Sequence, residues 1–297
     1  MITKPHSTPS FFSSISDMLN QSHPLYKLAD KIDWAKFDTA FAPLYCQNNG
    51  RPAKPIRLMC GLLILKHLRN LSDESVVEQW SENAYYQYFC GMQEFIPNAP
   101  CASSELVHFR NRIGEKGVEL IFQESIRVNN EDDDGHHHDT IIRSATGIIL
   151  GVQSFRNEYD GHTIEASLAQ VERLTQRKIK ILAGDRGYRG KKEVNGTQIL
   201  IPDVPKPSDS RYQKRKKHKL FCKRAGIEPT IGHLKSDHRL GRNFYKGLAG
   251  DAVNILLAAA AYNFKRAMRV LLNLLKRISE MLRERASMND FSLSNAF

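Results

Sequence analysis

The sequence predicts an α+β fold: a helical N-terminal half, then a region of short strands and helices, then a long C-terminal helix. Three observations carry this. Between residues 24 and 126, apolar side chains recur at helical offsets of three, four and seven. From residue 140 to 202, short runs rich in Ile, Val and Leu take over, bounded by Gly, Ser and Asn. From 251 to 285 the chain is poor in Gly and Pro and apolar enough for one helix or a helix pair. A chain of 297 residues has room for one large domain or two of ordinary size.

In the N-terminal half, residues 1–20 are Ser-rich and expected to be mobile. Residues 24–30 and 32–37 read as short helices, with Leu25, Leu28 and Ile32 on one face. Residues 50–55 form a turn with two cations. A strong helix is expected over 56–68, with Lys66 and Arg69 near its end, where the helix dipole favours cations. Ser72, followed by Asp73 and Glu74, is a helix start. That helix is read as continuing through Val76, Val77 and Trp80 toward Phe89, its aromatic cluster being core. Helical segments follow from Ser103 or Ser104 through Ile113, and from Val118 to about Ile126. The two helices joined by Asn70, Leu71 and Ser72 have the layout of a helix-turn-helix, although most such pairs are packing units.

In the C-terminal half, residues 140–143 and 148–155 read as a β-hairpin around a turn at 144–147. Residues 163–174 form an amphipathic helix with Ile164, Leu168, Val171 and Leu174 on one side. Strands are expected over 178–183 and 197–202. A Pro-rich extended segment, 202–210, leads into a basic run. In the last helix, the alanines at 258–261 suit close helix packing or a dimer contact.

Net charge is +11, which calls for an anionic partner. Between Arg211 and Arg224 there are eight Lys or Arg and no acid: Arg211, Lys214, Arg215, Lys216, Lys217, Lys219, Lys223 and Arg224. Counterion release from such a run gives salt-sensitive binding to nucleic acid; the competing reading is a solubilising loop. A membrane surface is disfavoured because the run has no apolar face beside it. No apolar stretch spans a bilayer, and the first residues lack a signal-peptide core, so a cytoplasmic location is expected. The five cysteines are an odd number without a C-x2-C pair, and read as reduced, mostly buried thiols.

Two places carry candidate chemistry. Glu228 has Arg224 four residues before it and Lys235 seven after it, offsets that share one helix face. A carboxylate among cations stays ionised and can ligate a metal, while the cations meet phosphates. A solvated charged helix has the same spacing. Pro229 disfavours helical geometry at Glu228 and is at home in a first turn, so the helix is expected to start or kink there, which weakens the shared face for Arg224. Asp185 follows directly on the 178–183 strand and is flanked by glycines, a common setting for a ligand-binding carboxylate and also for a turn.

Residues 221–235 (FCKRAGIEPTIGHLK) resemble the Y-x2-R-x3-E-x6-K signature of DDE transposases from bacterial insertion sequences. Arg224, Glu228 and Lys235 are in register, and Phe221 stands in place of Tyr. Residues 236–243 and 247–251 look like the insertion-sequence-five group, and residues 51–55, 71–74 and 85–89 resemble that group's N-terminal domain, thought to recognise element ends. The resemblance runs from about Leu25 to Arg285.

The resemblance implies a helical DNA-recognition domain over 21–127, a ribonuclease-H-like α/β catalytic domain over 141–285, a linker at 128–140 and a tail at 286–297. Asp185, in the family's D-x-G-Y word, and Glu228 would be catalytic metal ligands, supported by Arg224, Lys235, Tyr188 and Arg186. The implied cofactor is Mg2+, with Mn2+ as a substitute, two ions about 4 Å apart serving phosphodiester hydrolysis and strand transfer. The implied partners are double-stranded element ends and target DNA, with a homo-oligomer acting at the nucleoid.

The family's first catalytic Asp is expected on a strand just after an acidic, His-rich loop. Here that loop, 131–139, runs straight into what resembles a later hairpin, so the sequence reads as carrying an internal deletion near Thr140. The ribonuclease-H-like domain would then be incomplete, with a divided sheet and exposed edges. Asp139 is the nearby acid, out of the family position. Consecutive acids and histidines such as 131–139 rarely converge on one ion, so a solvated loop is the simpler reading of that stretch. Three functions follow: a transposase by descent with a crippled centre, an active transposase using Asp139 or another acid, or a non-catalytic DNA-binding protein that occupies element ends or joins intact transposase.

Overall fold

In the computed structural model, the described residues are 14–46, 52–129, 141–144, 146–153, 160–184, 192–201, 206–241 and 247–294. The chain opens with α1 (Ile15–Met18), α2 (Pro24–Lys31) and α3 (Trp34–Phe41). Asp33 caps α3 by accepting from the Lys36 N–H. The central helix is α4 (Ile56–Leu68), in which every residue from Leu58 to Leu68 is buried. A helix apolar on all sides belongs in the middle of a core, and this one has neighbours all round.

Ser72 starts α5 (Asp73–Glu82), its hydroxyl accepting from Ser75 N at 3.0 Å. The helix does not run on to Phe89 as the sequence reading had it. Asn83 leaves helical geometry and caps a separate α6 (Ala84–Phe89), accepting from Tyr86 N at 3.2 Å. An Asn side chain that can cap the next turn competes with the backbone for its own hydrogen bonds. Trp80 and Phe89 are wholly buried, and the Phe89 ring meets Trp34 edge-on, so this aromatic cluster is core. The two predicted segments between 103 and 126 are joined in α7 (Ser103–Arg127), kinked at Gly114, whose φ of 58° suits a residue without Cβ.

Among the described residues, the strand region holds two separate small sheets. The hairpin of β1 (Ile141–Arg143) and β2 (Ile149–Val152) is antiparallel, as the sequence predicts. Helix α8 (Asp160–Thr175) covers β2 with Ile164, Leu168 and Val171. The second sheet has the order β3 (Ile181–Ala183), β5 (Thr197–Leu200), β4 (Glu193–Val194), parallel then antiparallel. Asn195 and Gly196, both with positive φ, make the tight turn between β4 and β5.

Three helices finish the chain: α9 (Arg211–Ala225), α10 (Ile227–Asp237) and α11 (Gly247–Ser294). The first part of α11 packs on α7, α4, α2 and β2. Ala258, Ala259, Ala260 and Ala261 are at most 2% exposed, so the alanine patch serves packing within the chain. Beside it, wholly buried Asn263 acts as a strand neighbour for β2. Its Nδ2 donates to Ile149 O at 2.8 Å and its Oδ1 accepts from Ile149 N at 2.9 Å. Nδ2 also lies 3.2 Å from Ser125 Oγ on α7. On the same strand, Val152 N donates to Gln170 Oε1 of α8 at 2.9 Å. The exposed edge expected from the sequence is thus covered at β2 by side chains of neighbouring helices.

Candidate active site and nucleic-acid interface

The basic run is helical, as α9. Ser210 and Gln213 form a reciprocal capping box, Ser210 Oγ accepting from Gln213 N at 3.2 Å and Gln213 Oε1 from Ser210 N at 2.8 Å. Arg211, Lys214, Arg215, Lys216 and Lys219 are exposed on α9, with Tyr212 and Phe221 exposed among them. Lys217 differs: it is half-buried and paired with Asp209 at 2.7 Å, which holds that carboxyl below its usual range. The side chain of Lys223 lies outside the described residues.

Gly226 separates α9 from α10, so Glu228 is the second residue of α10 and Pro229 the third, where its missing N–H costs no helical bond. The Arg224–Glu228 pair forms across this break, Nη1 to Oε1 at 2.9 Å. Ile227, Thr230 and Leu234 turn inward, while Glu228 and Lys235 stay exposed. Arg143 pins the corner from β1 by donating to Gly226 O at 2.8 Å, a contribution that no local pattern signals. Glu228 Oε1 takes the Arg224 guanidinium; Oε2 has no partner among the described residues and can accept a cation.

β3 ends at Ala183, and Gly184 N continues the parallel ladder to Leu200 O at 2.9 Å. Position 185 therefore follows the carboxyl end of a parallel strand. Asp185, Arg186, Tyr188 and Asp139 themselves lie outside the described residues. Among the described residues, no group of three or more His, Cys, Asp or Glu is placed to hold a metal ion. Glu228 fits a single-ligand role there, and the described residues do not by themselves make a metal centre. No described helix is long and apolar enough to cross a membrane. All five cysteines are free thiols, three buried and two, Cys46 and Cys222, exposed.

The far end of α10 is tied to α4 by a reciprocal histidine pair. His67 Nδ1 lies 3.3 Å from His238 O, and His238 Nδ1 lies 3.0 Å from His67 O. Since carbonyls only accept, both Nδ1 atoms carry the proton. Asn70 Nδ2 adds a bond to Ser236 O at 3.0 Å. Burial pushes the His67 imidazole well below its ordinary range, helped by Lys66, Arg239 and Arg110, and pushes His238 down to about 4, with Lys265 and His233 adding to the shift and Asp237 opposing it.

A depressed histidine pKa means that the unfolded chain binds more protons between pH 6.5 and about 4. Stability from this pair is complete above pH 6.5 and lost as pH falls through that window. At the 1.36 kcal/mol per pKa unit of proton linkage, His238 alone accounts for a loss of about 3 kcal/mol. Urea unfolding of the native chain should weaken from pH 7 to pH 5 more steeply than that of His238→Gln. Parallel curves would show that the pair is not buried neutral.

With this geometry in place, comparison with known proteins identifies the class. Residues 13–112 match the family described as Transposase domain (DUF772), and residues 124–264 match the Transposase DDE domain. The chain is thus similar to transposases over both of these segments, the second of them being the DDE domain. Such enzymes are, as a class, dependent on divalent metal. The chain is also 44% identical over 116 residues to "Uncharacterized protein ORF8 in nfe locus" of Rhizobium meliloti, covering 39% of this chain and 56% of that relative. It thus spans little more than half the length of the curated relative. No solved structure matches.

Proposed function

We propose that this chain is the transposase of an insertion sequence of the insertion-sequence-five group, binding element ends and target DNA. In this copy, an internal deletion near Thr140 has removed the first catalytic Asp and impaired cleavage. The observation that carries the reading is exposed Glu228 paired with half-buried Arg224 at the head of α10, directly after the exposed basic helix α9. An acid presented beside cations suits phosphodiester chemistry, because the carboxylate can hold a metal ion while the cations meet phosphate.

On this reading residues 21–127 recognise DNA, 128–140 link, and 141–285 form an incomplete ribonuclease-H-like domain. Asp185 and Glu228 are the remaining ligands for Mg2+ or Mn2+, which would supply Lewis-acid polarisation of the phosphodiester. Arg224, Lys235, Arg186 and Tyr188 position phosphate around them. The chain acts as a homo-oligomer in the cytoplasm, associated with the nucleoid.

The test is nicking of DNA that carries the element's ends, with Mg2+ or Mn2+, for the native chain beside Asp185→Ala and Glu228→Ala. The expected outcome is salt-sensitive DNA binding with no metal-dependent nicking above the level of the two variants. Nicking that both substitutions abolish would overturn the impairment and make Asp139 the next acid to replace. Absence of both binding and nicking would overturn the DNA reading itself.

A further inference from the structure

A second basic site lies behind α10, away from Glu228. It is a cleft of about 90 Å³ between α10 and α11, lined by His233, Asp237 and the capping His238 at the end of α10 and by Tyr262, Lys265, Arg266 and Arg269 from α11. At 3.6 residues per turn, Lys235 lies roughly 20° around the axis of α10 from Glu228, His233 roughly 140° and Asp237 roughly 180°. The cleft and the Glu228 face therefore point in opposite directions.

Its charges do not cancel. Asp237 is already engaged three times, by Ser236 Oγ at 2.7 Å, His233 Nδ1 at 3.1 Å and Lys265 Nζ at 3.2 Å. These contacts keep it ionised, and it offsets one cation. Arg266 and Arg269 have no acidic partner among the described residues. Arg266 is backed by the β1–β2 turn at Gly147, where φ is +96° and a Cβ would come within 3.2 Å of its Nη1. The cleft thus offers two guanidinium groups with a phenol and an imidazole beside them, a set rich in donors. Guanidinium forks match the oxygens of a phosphate.

The cations also continue beyond the cleft. Arg269, Lys276 and Arg283 are exposed and seven residues apart, so they form one stripe along α11 with steps of about 10 Å. Glu280 lies within that stripe, four residues after Lys276 and three before Arg283, and offsets one of its three cations. A free phosphate would need only the cleft, whereas a polyanion uses the stripe as well.

We propose that the α10–α11 cleft holds a backbone phosphate of double-stranded DNA, distinct from the DNA engaged at the Glu228 face, so that α10 stands between two DNA contacts. The identity of the phosphate rests on the transposase reading above. The test measures affinity for a random-sequence duplex as a function of salt, using the full chain, Arg266→Gln/Arg269→Gln, the single exposed variant Arg269→Glu, and Lys214→Gln/Arg215→Gln on α9. Melting temperatures confirm that each variant folds.

Each lost phosphate contact lowers the slope of log affinity against log salt by about 0.9. The double cleft variant should lose about one to two units of slope and bind several-fold more weakly, and the α9 variant should add its own separate loss. Arg269→Glu should weaken binding in the same direction. A native chain that binds DNA, with cleft variants of unchanged slope and affinity, overturns the proposal. A native chain that binds no duplex sinks the transposase reading instead. Inorganic phosphate titrated against the His233 imidazole signals then separates the two failures. A response lost in Arg266→Gln/Arg269→Gln would leave an oxyanion cleft with no DNA in it, and no response would remove the cleft as well.

Discussion

Asn263→Ala is expected to lower stability by about 3–5 kcal/mol, the sum of two unpaired buried backbone groups and the cavity left behind. Asn263 is wholly buried, and its amide satisfies both the N–H and the C=O of Ile149, itself wholly buried in β2. Water cannot replace those bonds at this depth. A loss of that size is a large part of the 5–15 kcal/mol that holds an ordinary domain together. The measurement is the urea midpoint, with the slope of the transition unchanged. Asn263→Asp should be no better, because a carboxylate accepts from Ile149 N but cannot donate to Ile149 O or Ser125 Oγ. Val270→Ala, more than half exposed on the same helix, should stay within about 0.5 kcal/mol. A midpoint for Asn263→Ala close to that of the native chain would mean that the edge of β2 reaches water and does not depend on α11.

The fate of this residue shows which parts of the molecule a sequence reader can reach. Helix α4, the Ser72 cap, the β1–β2 hairpin and the last helix rest on signals within a few residues of one another. Asn263 meets Ile149 across 114 positions, and His67 meets His238 across 171. Neither pairing leaves a local trace, since a lone Asn or His on a helix more often faces solvent or a nearby backbone group.

The basic run is a different kind of omission. It has no apolar period, so nothing in it announces a helix, yet Lys, Arg and Gln are good helix formers and the Ser210–Gln213 capping box was there to be read. The Asn195–Gly196 turn is likewise a strong local signal, and it accounts for strand β4, which the sequence reading passed over. At the candidate site, the spacing of Arg224 and Glu228 was legible and the pair does form, although Pro229 and Gly226 divide the helix between them. The pin from Arg143 was not legible, because it depends on where β1 lands.

Replacing Arg211, Lys214, Arg215, Lys216 and Lys219 together with Gln is expected to weaken binding to duplex DNA on the order of 10²- to 10³-fold at physiological salt. The salt slope should fall by about 4.5 units if each cation meets one phosphate. The five side chains are exposed on α9, and Gln keeps helix propensity close to that of Lys and Arg, so the fold should be untouched. Lys217 is left in place because its ammonium is held by Asp209, and removing it would confound a loss of DNA contact with a loss of structure. Fluorescence anisotropy of a labelled duplex across a salt series reads both quantities at once. The slope counts phosphates and the intercept reports the rest, so the two readings of a basic run predict different curves. A nucleic-acid helix loses slope with each cation. A solubilising surface keeps its slope, and the variant would instead become less soluble without binding DNA any more weakly.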